Sequence, residues 1–321
     1  MNGDLLKLKQ ERNCSVSSAF AKGTQSNHKT QWRSFLLFCE FYDLQALPCS
    51  LDTICLYGQF LSRSFKSVDS IKSYIYGVKL LHLMLDLQFP HLETFYYRLF
   101  IKGLRRCNPH EIKAALPITP DILNKIYFCL DMSKSLDITI WCMLLFSFFL
   151  MCRKSNLVGS EHEKDRYLRR SDVQFSGKNL IIHFRWSKTI QFGERSLAIP
   201  LWLIPNSNLC PVSAYKMMCS VNSAPLDSPA FVYKHRDKLV PVSYGLYQSS
   251  LKRLIDKVGL CANNYSSHSC RRGGATWAFK AGVPVELVQL LGDWKSDAYK
   301  CYLKYGLNEK MLVFKKMVDL M

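Results

Sequence analysis

The residues best suited to chemistry lie towards the end of the chain. His268-Ser-Cys-Arg271 sets an imidazole and a guanidinium three residues apart, so that at the start of a helix they share a face. The run Leu290-Leu-Gly-Asp-Trp294-Lys-Ser-Asp-Ala-Tyr-Lys-Cys-Tyr302 follows. Arginine's planar fork grips two phosphate oxygens at once. Histidine relays a proton near neutral pH. A tyrosine hydroxyl attacks phosphorus once its proton is removed and cationic groups stabilise the oxyanion. Together these are the requirements for breaking a phosphodiester without a metal.

These groups need a scaffold. The pattern predicts helices over 30–42, 53–64, 70–87 and 91–106, with Ser50 or Asp52 and Ser67 or Asp69 as caps. Four helices on short links imply a compact bundle over 28–107, preceded by a polar segment, 1–27. Residues 108–118 are polar, hold Pro109 and Pro117, and read as a linker. Beyond it come helices at 120–130 and 136–151. The second contains the apolar run Ile138–Met151, too short for a bilayer and readable as a buried core helix. Alternation over 173–175, 180–186, 189–192 and 196–199 predicts a small antiparallel sheet of about three strands. Helices return at 212–219, 244–258, 269–281, 284–291, 297–305 and 309–320. The expected fold class is mainly α with a small antiparallel sheet, in two domains. Gly273-Gly274 lacks the lysine and the preceding strand of a phosphate-binding loop and reads as close helix packing.

Composition bounds the partners. The 321 residues carry a formal net charge of +18. Residues 1–115 hold 15 basic and 9 acidic side chains, and the remainder 28 and 16. Both halves are basic, as in a protein that grips a polyanion with two domains rather than with a tail. Arg105, Arg106, Arg169, Arg170, Lys234 and Arg236 stand in basic clusters and are candidates for phosphate contact. The 13 cysteines are odd in number and lack zinc-like spacing; Cys129, Cys142 and Cys152 read as buried free thiols in a reducing compartment. No signal peptide opens the sequence. No membrane partner and no cofactor are expected.

His-x-x-Arg, then Leu-Gly-x-Trp and a tyrosine in the next helix, resembles the catalytic signature of the tyrosine recombinases and integrases. The Gly-Asp-Trp-Lys-Ser-Asp-Ala-Tyr-x-x-Tyr run most resembles the recombinases of eukaryotic mobile elements, the DIRS-like and Ngaro retroelements and the Cryptons. Earlier positions fit as well. Arg153 follows an apolar helix in Leu-Met-Cys-Arg153-Lys-Ser, where the family has its first arginine. Lys188 in Trp186-Ser-Lys188-Thr matches the family lysine on a turn between strands. The resemblance spans 119–305. It departs at three places. The third His-or-Trp position holds Trp294, as in some members. An acidic residue often follows the first arginine by three, and here Asn156 stands there. Trp294 to Tyr302 is a step of 8, one short of the common spacing, which would land on Leu303; Tyr299 and Tyr305 are rival nucleophiles.

The resemblance implies a helical core-binding domain over 28–107, a catalytic domain over 119–305 and a C-terminal helix over 306–321 that docks in cis or on a neighbouring protomer. It implies a clamp around double-stranded DNA, a tetramer in the synapse and a nuclear location. It further implies that Tyr302 attacks a DNA phosphate to form a 3′-phosphotyrosyl link. Arg153 and Arg271 would hold the non-bridging oxygens, Lys188 would protonate the leaving 5′-oxygen, His268 would assist, and Trp294 would pack on the phosphate or donate to it. The alternatives are a type IB topoisomerase, with the same chemistry, and a non-catalytic DNA-binding descendant of a recombinase. Any one of these residues alone is commonplace; it is their joint order that carries the reading.

Overall fold

The computed structural model describes residues 2–110, 115–158, 166–190, 195–302, 311, 315 and 317–319; for residues 2, 3, 298, 301 and 302 the description covers the backbone only. The chain divides into two compact units, Met1–Ile112 and Lys113–Met321.

The first unit is helical: α1 (Asn2–Ser18), α2 (Lys22–Phe41), α3 (Leu51–Ser62), α4 (Val68–Met84) and α5 (Phe95–Cys107). In α2 to α5 the apolar residues recur at three- and four-residue spacing because one stripe of each of these helices faces the bundle centre. Phe35, Phe38, Ile54, Tyr57, Ile71 and Ile75 form that centre. Ser50 Oγ accepts the Thr53 amide at 3.0 Å and Thr94 Oγ1 accepts that of Tyr97 at 3.2 Å, capping α3 and α5. Gly77 lets α4 close on α2, where Trp32 Nε1 donates to the Gly77 carbonyl at 2.8 Å. The polar segment 1–27 is helical over most of its length, with α1 filling it to Ser18 and α2 beginning at Lys22. Periodicity missed both for one reason. The described side chains of α1 are almost all exposed, and the buried positions early in α2 are polar, His28 and Gln31.

The second unit is built around α7 (Ser135–Phe149), which is buried on every side from Ile138 to Phe148. Around it lie α6 (Pro120–Tyr127), the short α8 (Lys154–Leu157), α9 (Pro211–Val221), α10 (Tyr244–Lys257), α11 (Ser269–Lys280) and α12 (Val285–Leu291). An antiparallel sheet runs in the order β1 (Val173–Ser176), β2 (Asn179–Phe184), β3 (Leu197–Leu201), with Ile182 opposite both Val173 and Ile199. Leu180, Ile182 and Phe184 alternate inward onto the α7 core. The fold is thus mainly helical with small antiparallel sheets, as the pattern predicts.

Some expected elements differ. Residues 234–238, where the pattern predicts no element, belong to a second hairpin, β4 (Val232–His235) and β5 (Lys238–Pro241); Arg236 and Asp237 turn it with φ of 48° and 62°. The expected strand over 189–192 is a turn at 189–190, and residues 191 and 192 lie outside the described residues. The expected helix over 297–305 is a 3-10 turn, Asp297–Tyr302, as far as it is described; tyrosine spacing over so few residues does not separate the two helix types. The C-terminal helix over 306–321 lies mostly outside the described residues.

Helix α11 lies tight on its neighbours because of its glycines. A Cβ on Gly273 would collide with the Ile118 carbonyl oxygen, and one on Gly274 with that of Phe148. Both obstacles are backbone and cannot rotate away. Gly274→Ala is therefore expected to lower stability by about 1–3 kcal/mol or more, read as a lower midpoint in urea unfolding, whereas Gly245→Ala, a helical position where a Cβ meets nothing, should leave it unchanged or raise it by up to about 1 kcal/mol.

Candidate active site

Arg271 sits in the first turn of α11 and is 2% exposed. Its guanidinium donates to the Met151 carbonyl and, at 2.7 Å, to the Gly292 carbonyl. It also lies 3.9 Å from the centroid of the Trp294 ring. A buried guanidinium needs such partners because an unanswered charge in a dry interior is costly. Met151 presents its carbonyl from a left-handed turn, φ 46°, directly after α7. Gly292 has no side chain because Trp294 occupies that space: a Cβ there would strike the indole.

Arg153 approaches from the other side. It is the residue before α8, two beyond Met151, and its side chain is 20% exposed. Its Nη2 donates to the Asp293 carbonyl at 3.4 Å. The two arginines therefore hold adjacent peptide carbonyls, those of Gly292 and Asp293. Asn156 ties the backbone behind them, accepting the Arg153 amide at 3.2 Å and donating to the Trp186 carbonyl at 3.2 Å.

Lys188 is exposed at the tip of a turn between β2 and β3, closed by the Ser187–Ile190 bridge. The hydroxyls on either side of it, Ser187 Oγ at 2.5 Å and Thr189 Oγ1, donate to Asp293 Oδ2. Arg195 donates to the other carboxylate oxygen, and Arg153 Nη1 stands 3.7 Å from Oδ2. Burial pushes the Asp293 carboxyl upward in pKa, but the Ser187, Thr189 and Arg195 donors outweigh it and hold the group below its ordinary value. Asp293 and Arg195 were not singled out in the sequence. One signal was available: a step of nine from Asp293, rather than from Trp294, ends on Tyr302.

His268 precedes α11, and its residue surface is open to solvent. Crowding by protein atoms and the positive charges of Lys154, Arg271, Arg153 and Arg272 depress its pKa, in that order of effect. Lys154 Nζ lies 3.4 Å from the centre of the Tyr244 ring, and the Tyr244 hydroxyl is in turn held below its usual pKa chiefly by that ammonium. Trp294, 7% exposed, packs on Tyr299 at 6.1 Å between ring centroids. Tyr299 is itself 4% exposed. Tyr302 ends the 3-10 turn, where its backbone is described and its side chain is not; Tyr305 lies outside the described residues.

The basic candidates scatter. Arg170 is corrected. It is buried, and its guanidinium reaches Cys219 Sγ at 2.6 Å and the Asn222 carbonyl at 2.8 Å, so it braces the 3-10 turn before β1 rather than facing a ligand. Arg169 beside it is half-buried. Lys234 and Arg236 are exposed on the second hairpin. Arg106 is exposed, and Arg105 pairs in solvent with Asp69 at 3.3 Å. Of the thiols, Cys142 and Cys152 are buried and Cys129 is half-buried, all three free. No helix among the described residues is long and apolar enough to cross a membrane.

No family model matches the chain. It is 24% identical over 285 residues to an integrase/recombinase xerD homolog of Selenomonas ruminantium, covering 86% of this chain and 79% of that one. Its fold is similar to that of the Tn1549 transposon integrase in complex with transposon right end DNA, with a TM-score of 0.66 at 12% identity over 97% and 98% of the two chains. It is also similar to a lambda integrase dimer bound to a core site, with a TM-score of 0.60 at 15% identity over 92% and 94%.

The charges around His268 all oppose protonation, as does its partial loss of water. Its imidazole should titrate below the ordinary value of about 6.5 and be neutral at pH 7. NMR titration, with His268→Gln to assign the signal, should show this, and Lys154→Met should move the midpoint up. A midpoint at or above the ordinary value would contradict the electrostatics described.

Proposed function

We propose that this chain is a site-specific DNA recombinase of the tyrosine recombinase and integrase kind that cuts and rejoins strands through Tyr302. One observation carries the reading. Arg153 and Arg271, far apart in sequence and supplied by different elements, converge on the adjacent carbonyls of Gly292 and Asp293, in the loop that leads to Tyr302. The Lys188 turn is tied to the same aspartate. Two guanidiniums, an ammonium and a neutral imidazole make a cationic site suited to a pentacoordinate phosphorane carrying extra negative charge.

In the proposed reaction the Tyr302 oxygen attacks the phosphorus. The bond from phosphorus to the 5′-oxygen breaks, and that oxygen leaves with the bonding pair and takes a proton from Lys188. His268, neutral at pH 7, can accept the tyrosine proton. The product is a 3′-phosphotyrosyl link with a free 5′-hydroxyl. A 5′-hydroxyl from a partner strand then reverses the steps, and because one phosphodiester is exchanged for another, no ATP is needed. Double-stranded DNA is the substrate, gripped by two basic units. Arg105, Arg106, Lys234 and Arg236 are exposed positions from which phosphate contact could be made. A tetrameric synapse, a mobile element of the DIRS-like, Ngaro or Crypton kind as the source, and action in the nucleus complete the proposal on the strength of the motif resemblance.

The test is to trap the intermediate on nicked or half-site DNA taken from the terminal repeats of the element that encodes the chain. Wild type should give a protein–DNA adduct on a denaturing gel, and Tyr302→Phe none. An adduct that persists in Tyr302→Phe moves the nucleophile to another tyrosine. Tight DNA binding without any adduct on any substrate leaves a DNA-binding protein rather than an enzyme.

A further inference from the structure

We infer that Asp293 is a positioning residue that holds the proton donor Lys188 in place, by fastening the turn that carries it to the arginine side of the site. The inference rests on the strand-transfer reading above. Lys188 is an exposed side chain at the tip of a tight turn, and a flexible ammonium on such a tip delivers a proton efficiently only if its base is fixed. The two residues flanking it, Ser187 and Thr189, both spend their hydroxyls on Asp293 Oδ2. Ser187 Oγ also accepts the amides of Thr189 and Ile190, each at 3.1 Å, so the hydroxyl that reaches the aspartate also closes the turn. Further along the chain, Arg195 holds Oδ1. One carboxylate thus gathers residues 187, 189 and 195 and faces Arg153.

A carboxylate suits this role better than an amide. It offers about four lone-pair sites and a full negative charge, and here it meets two hydroxyls and two guanidiniums. The amide at Asn156 holds the backbone of the same two segments but carries no charge to set against Arg153. Asp293 supplies that charge from the opposite wall. Its own backbone is left-handed, φ 52°, a conformation aspartate tolerates better than most residues, and it is this geometry that presents carbonyl and carboxylate together to Arg153.

The leaving group provides a test that a merely structural role would not pass. A 5′-oxygen needs a proton as its bond to phosphorus breaks; a sulfur in the same bridging position leaves as a thiolate and needs none. Single-turnover adduct formation would be measured on half-site DNA with either a 5′-bridging oxygen or a 5′-bridging sulfur. On the oxygen substrate Asp293→Asn is expected to slow the reaction about 100-fold or more, the scale of losing a general acid. On the sulfur substrate its rate should return to near that of wild type, the pattern Lys188→Ala should also show. Thr189→Val, which keeps the carboxylate and removes one donor, should give a smaller loss with the same recovery, and it decides the matter if Asp293→Asn does not fold. Equal losses on both substrates, or no loss on the oxygen substrate, would overturn the inference. Absence of adduct from wild type on both substrates would instead overturn the strand-transfer reading, and the inference with it.

Discussion

The second unit depends on burying one guanidinium. Arg271 is nearly inaccessible, and taking its charge out of water costs several kcal/mol unless its donors are answered. The answers come from three directions: the Met151 carbonyl beyond α7, the Gly292 carbonyl beyond α12 and the face of Trp294. Each constrains its own segment. Met151 takes a left-handed backbone, Gly292 lacks a Cβ so that the indole fits, and α11 presses against α7 and the 118 segment through a pair of glycines. The arginine thus locks the end of the central helix to the loop before Tyr302.

Asp293 plays the complementary part, as a carboxylate set among cations. A cluster of cations this close together needs an internal counter-charge to stay folded. Placing that charge one residue beyond the carbonyl that binds Arg271 lets a single loop satisfy both arginines and the lysine turn. Partial loss of water first, and then the same excess of positive charge, depress the His268 pKa and so favour an imidazole that can accept a proton.

The rest of the unit is scaffold for this loop. The apolar helix α7 carries no chemistry of its own, but its full burial makes it the rigid post from which Met151 and Arg153 project. The β1–β2–β3 sheet lies on the same core and delivers the Lys188 turn, which Asp293 ties to the loop after α12. A long-range side-chain contact, rather than strand pairing, completes the site.

Much was legible in the sequence because local patterns have local causes. Helix stripes, the sheet's alternation and the cap at Ser50 are properties of neighbours along the chain, and the order Arg153, Lys188, His268, Arg271, Trp294, Tyr302 can be read without knowing the fold. The polar starts of α1 and α2 escaped because they bury no apolar face, and the Lys234 hairpin because its turn residues, Arg236 and Asp237, are not the usual ones. What only the tertiary structure decided was which charges meet. Arg170 and Arg271 are both arginines in basic surroundings, yet one braces a turn against Cys219 and Asn222 while the other shares a loop with Arg153. Asp293 reads in sequence as one acid among many, and its value comes from residues about 100 positions upstream that folding brings within hydrogen-bond reach. Electrostatic partnership acts through distance in space, and that distance is set by how the core packs.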